Sequence, residues 1–127
     1  MKRSTMRQHV GLAALSLLAV VGASCAAGTT HTPKAVPTFT IDMNDQLRFV
    51  PDRVVVPVGN DDLKLVNVGS VPHNLHIPAL GVLSPDVAGG QTAVVTIHVK
   101  KPGSYSFDCD FHVMDGMVGT LVVRAST

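Results

Sequence analysis

The chain has 127 residues, which leaves room for one domain once an N-terminal targeting segment is set aside. Its formal charge of +1 is weighted by Lys2, Arg3 and Arg7; from Cys25 onward seven Lys and Arg stand against nine Asp, a net −2, so the sequence offers no basic face for nucleic acid. There is no Trp, the apolar content comes mainly from Val, Leu, Ala and Ile, which favours a β-rich interior, and two cysteines require no disulfide.

Residues 1–24 read as a secretory signal: basic Lys2, Arg3 and Arg7, an apolar run from Val10 to Val21, then Gly22-Ala23-Ser24 before Cys25. The run is too short for a spanning helix. A cysteine directly after small residues resembles a bacterial lipobox, where the thiol is lipidated and becomes the mature N-terminus; simple cleavage near Ala27 is the alternative. Residues 25–37 are small, polar and punctuated by Pro33 and Pro37, the composition of a flexible tether. His31 is read as a solvated residue within it. The expected location is outside the cytoplasmic membrane, either anchored through lipid on Cys25 or free in the periplasm.

Residues 38–127 are the expected folded domain. Phe39, Ile41 and Met43 alternate with Thr38, Thr40 and Asp42; Val54, Val56 and Val58 alternate with Arg53, Val55 and Pro57; and Ala93, Val95, Ile97 and Val99 alternate with Thr92, Val94, Thr96 and His98. Such period-two runs predict strands with one face on a core. Asp61 to Val68 alternates more weakly, with Asp61-Asp62 expected to be solvated. Gly119 to Arg124 is nearly continuous apolar, which predicts a strand buried on both faces. Turn residues separate the runs at Pro57-Val-Gly-Asn60, Gly69, Pro78, Gly89-Gly90 and Pro102-Gly103. No stretch has helical periodicity, and the irregular Pro78 to Gly90 segment is expected to hold at most a short helical turn. Short strands at this spacing predict an all-β Greek-key sandwich.

The chemistry concentrates in Cys109-Asp-Phe-His112-Val-Met-Asp-Gly-Met117, which packs a thiol, an imidazole and a thioether into nine residues. In Tyr105-Ser-Phe107-Asp-Cys109 the odd residues share a face, so Cys109 points inward at a strand end. A loop then bends back to bring His112 and Met117 toward the sulfur, with Gly116 and Gly119 easing the turn. A buried thiol stays protonated and inert unless a metal makes it a thiolate. One thiolate, two imidazoles and a weak axial thioether are the donors of a type 1 copper site. The second imidazole is assigned to His73 in Asn67-Val-Gly-Ser-Val-Pro72-His73-Asn74-Leu75, whose flanks read as strands joined by a turn. His76 faces opposite to His73 in an extended chain and is read as a surface residue, as is His98, which shares a polar face with Thr96.

These segments resemble the plastocyanin-like branch of the cupredoxin family. The likeness runs from about Phe39 to Val123 and is densest in Pro102-Gly-Ser-Tyr105-Ser-Phe107-Asp-Cys109, Pro72-His73-Asn74 and Gly116-Met117-Val118-Gly119. The Cys-x2-His-x4-Met spacing is the plastocyanin pattern; a shorter Cys-x2-His-x2-Met loop needs methionine at position 115, where this chain has Asp115, so Met114 receives no ligand role. The resemblance implies the same Greek-key sandwich, and for Asn74 a hydrogen bond that ties the two ligand segments together and tunes the metal.

The expected function is a non-enzymatic electron carrier holding one copper ion in a type 1 site of His73, Cys109, His112 and Met117. A saturated donor set leaves no position for substrate and limits chemistry to outer-sphere transfer. Its expected partners are redox proteins and, through the lipid anchor, a membrane, with the chain monomeric. Copper delivery or storage through the same site is the alternative.

Overall fold

Every period-two run identified above is a strand in the computed structural model, which describes Gly28 and residues 32–126. Cys25, His31 and the signal segment lie outside the described residues. A compact unit spans Pro33–Thr127, and its described residues hold nine strands: β1 Thr38–Asn44, β2 Arg48–Val50, β3 Arg53–Pro57, β4 Gly59–Asn67, β5 His76–Ile77, β6 Val82–Leu83, β7 Thr92–Val99, β8 Gly103–Asp108 and β9 Val118–Arg124. Helical structure among them is limited to two 3-10 turns, Pro78–Leu80 and Val113–Asp115.

The strands form two sheets, ordered β2-β1-β4-β7 and β3-β9-β8-β5-β6. The chain crosses between sheets at each of β2 to β3, β3 to β4, β4 to β5, β6 to β7 and β7 to β8, which makes the Greek-key sandwich the sequence predicts. β1 runs parallel to β4 and β3 parallel to β9, while the other pairs are antiparallel. Ile41, Met43, Leu63, Leu65, Ile97 and Val99 from one sheet meet Val54, Val56, Ile77, Phe107, Leu121 and Val123 from the other in one buried core. Phe49 of β2 and Phe107 of β8 bind the layers edge to face, with ring centroids 5.0 Å apart at 82°, the geometry aromatic quadrupoles favour.

Phe107 fixes the strand that leads into Cys109, and Gly119 of β9 makes room for it. A Cβ on Gly119 would run into the Phe107 ring and stand 2.7 Å from the Asp52 carbonyl oxygen, so no other residue fits without moving the ring.

Two expectations are corrected here, for β9 and for Asp61, and β2 is a strand that the sequence pattern does not show. β9 is not buried on both faces: Leu121 and Val123 are buried, while Val118 and Arg124 are exposed and the intervening residues half-buried. Its apolar run reflects β propensity on a partly covered face rather than burial on both. β2 was not anticipated, because three residues after the Asn44–Leu47 turn are too few to show a period. Asp61 is not solvated. It faces the core side of β4 with Leu63 and Leu65, is fully buried, and neither carboxyl oxygen has a partner among the described residues. Burial pushes its carboxyl above the ordinary value, and the charge of Asp62 adds to the shift. It lines a cavity of about 250 Å³ with Lys34, Val36 and Pro57, at the opposite end of β4 from Asn67.

Candidate metal centre

The end of β8 and the start of β9 are pinned by the loop that joins them. The Cys109 N–H donates to the Met117 carbonyl (3.1 Å), the Met117 N–H to the His112 carbonyl (3.1 Å) and the His112 N–H to the Cys109 carbonyl (3.0 Å). The loop therefore closes on itself, with Cys109 and Met117 side by side at its base and His112 between them. The 3-10 turn Val113–Asp115 supplies the reversal and ends on Gly116 at φ 83°, a left-handed conformation that glycine adopts without steric cost. The two methionines separate cleanly: Met117 is fully buried and Met114 is 94% exposed.

His73 arrives from the long turn between β4 and β5. Its backbone pairs with Val87 in both directions, at 3.1 and 2.7 Å. The turn before it is built from the side chains of Asn67 and Asp45. Asn67 Nδ2 donates to the carbonyls of Val71 (2.7 Å) and Val87 (2.8 Å), and its Oδ1 accepts from the Gly69 N–H at 3.0 Å. Asp45 accepts the Ser70 N–H (2.7 Å), the Ser70 hydroxyl (2.9 Å) and the Val71 N–H (3.0 Å). The backbone N–H of Val71, followed by those contacts from Ser70, holds the Asp45 carboxyl below its ordinary value. Sequence reasoning missed both residues; each acts across a turn or between strands, and an Asn at a strand end reads locally as punctuation.

These supports bring three donors together. Cys109 Sγ lies 3.6 Å from His112 Nδ1 and 4.0 Å from His73 Nδ1, with the two imidazole rings 5.1 Å apart at 61°. Cys109 and His73 are fully buried, and His112 is half-buried. The spacing can be tested against coordination. A metal about 2.3 Å from sulfur and about 2.0 Å from nitrogen at trigonal angles separates those donors by about 3.7 Å, between the two observed values. Soft sulfur with two imidazoles, and a buried thioether on the adjoining residue Met117, is a donor set that fits copper.

Asn74 joins the two segments. Its Oδ1 accepts the Asp110 N–H at 2.9 Å, and its own backbone N–H points at Cys109 Sγ from 3.5 Å. Its Nδ2 donates to Asp86 and Asp110, each at 3.4 Å. His98 is exposed and bonded to Asn60, in keeping with a surface role. His76, read as a plain surface residue, is instead half-buried and faces two carboxylates, 3.0 Å from Asp110 and 3.5 Å from Asp108.

The chain matches the family described as Cupredoxin-like domain over residues 12–123. It belongs to the cupredoxin family. Solved structures agree on the fold of this cupredoxin. Reduced auracyanin from the photosynthetic bacterium Roseiflexus castenholzii is 18% identical with a TM-score of 0.61, covering 72% of this chain and 99% of its own. A reduced amicyanin mutant is 25% identical with a TM-score of 0.57, over 72% of this chain and 87% of its own. A fern plastocyanin mutant is 25% identical with a TM-score of 0.52, over 68% and 100%.

In this cupredoxin the burial of His73 has a consequence for pH. Loss of solvation lowers the His73 pKa below 6.5 and the neighbouring His112 adds to the effect, while the Asn44 backbone and Asp45 carboxylate work against it. Its Nε2 has no hydrogen-bond partner among the described residues, so a proton there is poorly compensated. The unfolded chain takes up a proton that folded His73 refuses, so metal-free protein should lose stability as pH falls from about 6.5 toward the lowered folded value, by up to about 1.4 kcal/mol per pH unit. Chemical denaturation of the metal-free protein between pH 5 and 8 (roughly the histidine range) checks this. His73→Gln should flatten that part of the profile.

Proposed function

We propose that this cupredoxin is an electron carrier that holds one copper ion in a type 1 site of His73, Cys109, His112 and Met117. The observation that supports this most is the convergence of Sγ and two Nδ1 atoms at 3.6 and 4.0 Å beneath the surface, with Met117 buried beside them. A copper ion supplies a one-electron couple between Cu(II) and Cu(I). The chain's own part is to hold the donors still. Backbone pairs fix Cys109, His112 and Met117, the Val87 bridge fixes His73, and Asn74 keeps the two segments in register. A donor set that fits both oxidation states without rearrangement lowers the barrier to electron transfer. With all four donors supplied by protein, no coordination position is set aside for a substrate, which favours a carrier over an enzyme.

His112 provides the way out. It is the half-buried ligand, and Phe111, Val113 and Met114 around it are exposed. An apolar rim of this kind suits brief docking of a redox protein, which requires little polar desolvation. The working location is outside the cytoplasmic membrane, with Cys25 as the lipid-bearing N-terminus.

The copper-loaded protein should be intensely blue, and Cys109→Ser should abolish the band completely, because it arises from the bond between the thiolate and Cu(II). Met117→Leu should retain copper and raise the reduction potential, since loss of a thioether donor would disfavour Cu(II) more than Cu(I), whereas Met114→Leu should change it little. A blue Cys109→Ser protein, or the reverse order of potentials, contradicts the assignment. In a bacterial host, Cys25→Ala should release the protein from the membrane fraction or leave its precursor unprocessed; unchanged partitioning without lipid labelling of the wild type contradicts the anchor.

A further inference from the structure

A second set of donors converges on the outer side of the Cys109 segment. Cys109 faces the core, so its neighbours Asp108 and Asp110 face outward. β5 pairs with β8 so that His76 stands directly opposite Asp108. His76 Nδ1 is thereby 3.5 Å from Asp108 Oδ1 and 3.0 Å from Asp110 Oδ1, and the three atoms lie within 4.8 Å of one another.

Hydrogen bonding alone does not satisfy this arrangement. Nδ1 carries at most one proton and two carboxylate oxygens face it, so one oxygen is left without a donor from this ring. Among the described residues no lysine or arginine pairs with either carboxylate. A third carboxylate, Asp86, stands on the same side and shares Asn74 Nδ2 with Asp110. Two carboxylates cost least when a cation lies between them.

The distances suit such a cation. Donors each about 2.1 Å from one metal ion are separated by about 3.0 Å at a right angle and about 3.4 Å at the tetrahedral angle, against the observed 3.0 and 3.5 Å. We propose that His76, Asp108 and Asp110 form a second metal site that takes a divalent transition-metal ion of the zinc class. One imidazole and two carboxylates, with no sulfur, favour such an ion and disfavour Cu(I), so the two sites differ in chemistry. The donors are between a fifth and a half exposed, which leaves the remaining coordination positions to solvent. The site brackets Cys109 in sequence, and the Asp110 N–H is the donor to Asn74. A cation there adds positive charge beside the first site and favours its reduced form. That last step rests on the copper reading above; the binding itself does not.

The test is calorimetric titration of Zn2+ into the full copper-loaded chain, with the midpoint potential measured before and after. One Zn2+ should bind per chain, His76→Asn and the paired Asp108→Asn, Asp110→Asn variant should each weaken it by at least about tenfold, and Zn2+ should raise the potential of the wild type but not of His76→Asn. The same titration of a Cys109→Ala, His73→Ala chain separates the two readings: one Zn2+ that is still bound, and is lost on adding His76→Asn, upholds the second site even if the copper assignment fails. Zn2+ affinity unaffected by His76→Asn in both backgrounds overturns the site. Binding that leaves the wild-type potential unmoved overturns the coupling between the sites.

Discussion

The candidate metal centre depends on one hydrogen bond between segments 36 residues apart in sequence, from the Asp110 N–H to Asn74 Oδ1. Cys109, His112 and Met117 are held by their own loop, but His73 enters from the separate turn between β4 and β5, and Asn74 is the point at which the two are locked in register. Its backbone N–H reaches the sulfur from the same position. A single residue thus sets both the distance between ligand segments and the polarity around Sγ. Loss of such a partner outside the ligand set typically costs about 10- to 100-fold in metal affinity or activity.

Behind that contact is a scaffold built to resist movement. Phe107 packs against Phe49 and occupies the space Gly119 leaves, so the strand carrying Cys109 has no slack toward the core. On the other side, Asn67 and Asp45 each spend two or more hydrogen bonds on the turn that delivers His73. The donors are thus positioned by the fold itself, which on the proposed reading lets the centre change charge without changing shape.

The sequence disclosed the parts of this design that are local. Cys109, His112 and Met117 stand in one loop at a telling spacing, and alternation in β1, β3 and β7 was strong enough to define strands. His73 was legible because Pro72-His73-Asn74 sits between two strand-like runs. What stayed hidden depends on register between strands. Asp45 and Asn67 look like ordinary turn residues until β1 and β4 lie side by side. The His76, Asp108 and Asp110 group exists only because β5 pairs with β8 in one particular register. Asp61 was misread because a charged residue on an alternating strand suggests solvent, whereas the period of β4 carries it inward. The continuous apolar run of β9 misled in the opposite sense, since β-branched residues also fill half-covered faces.

A rigid site assembled from two tethered segments should exchange electrons readily and release its metal slowly; a copper-delivery protein needs ligands that an acceptor can replace one at a time. Electron self-exchange, followed by nuclear magnetic resonance line broadening in mixtures of oxidised and reduced protein with a Cu(I) chelator present, tests that distinction most directly. The account predicts fast exchange with the copper retained. Slow exchange, with copper passing readily to the chelator, would contradict it and identify the protein as a copper donor.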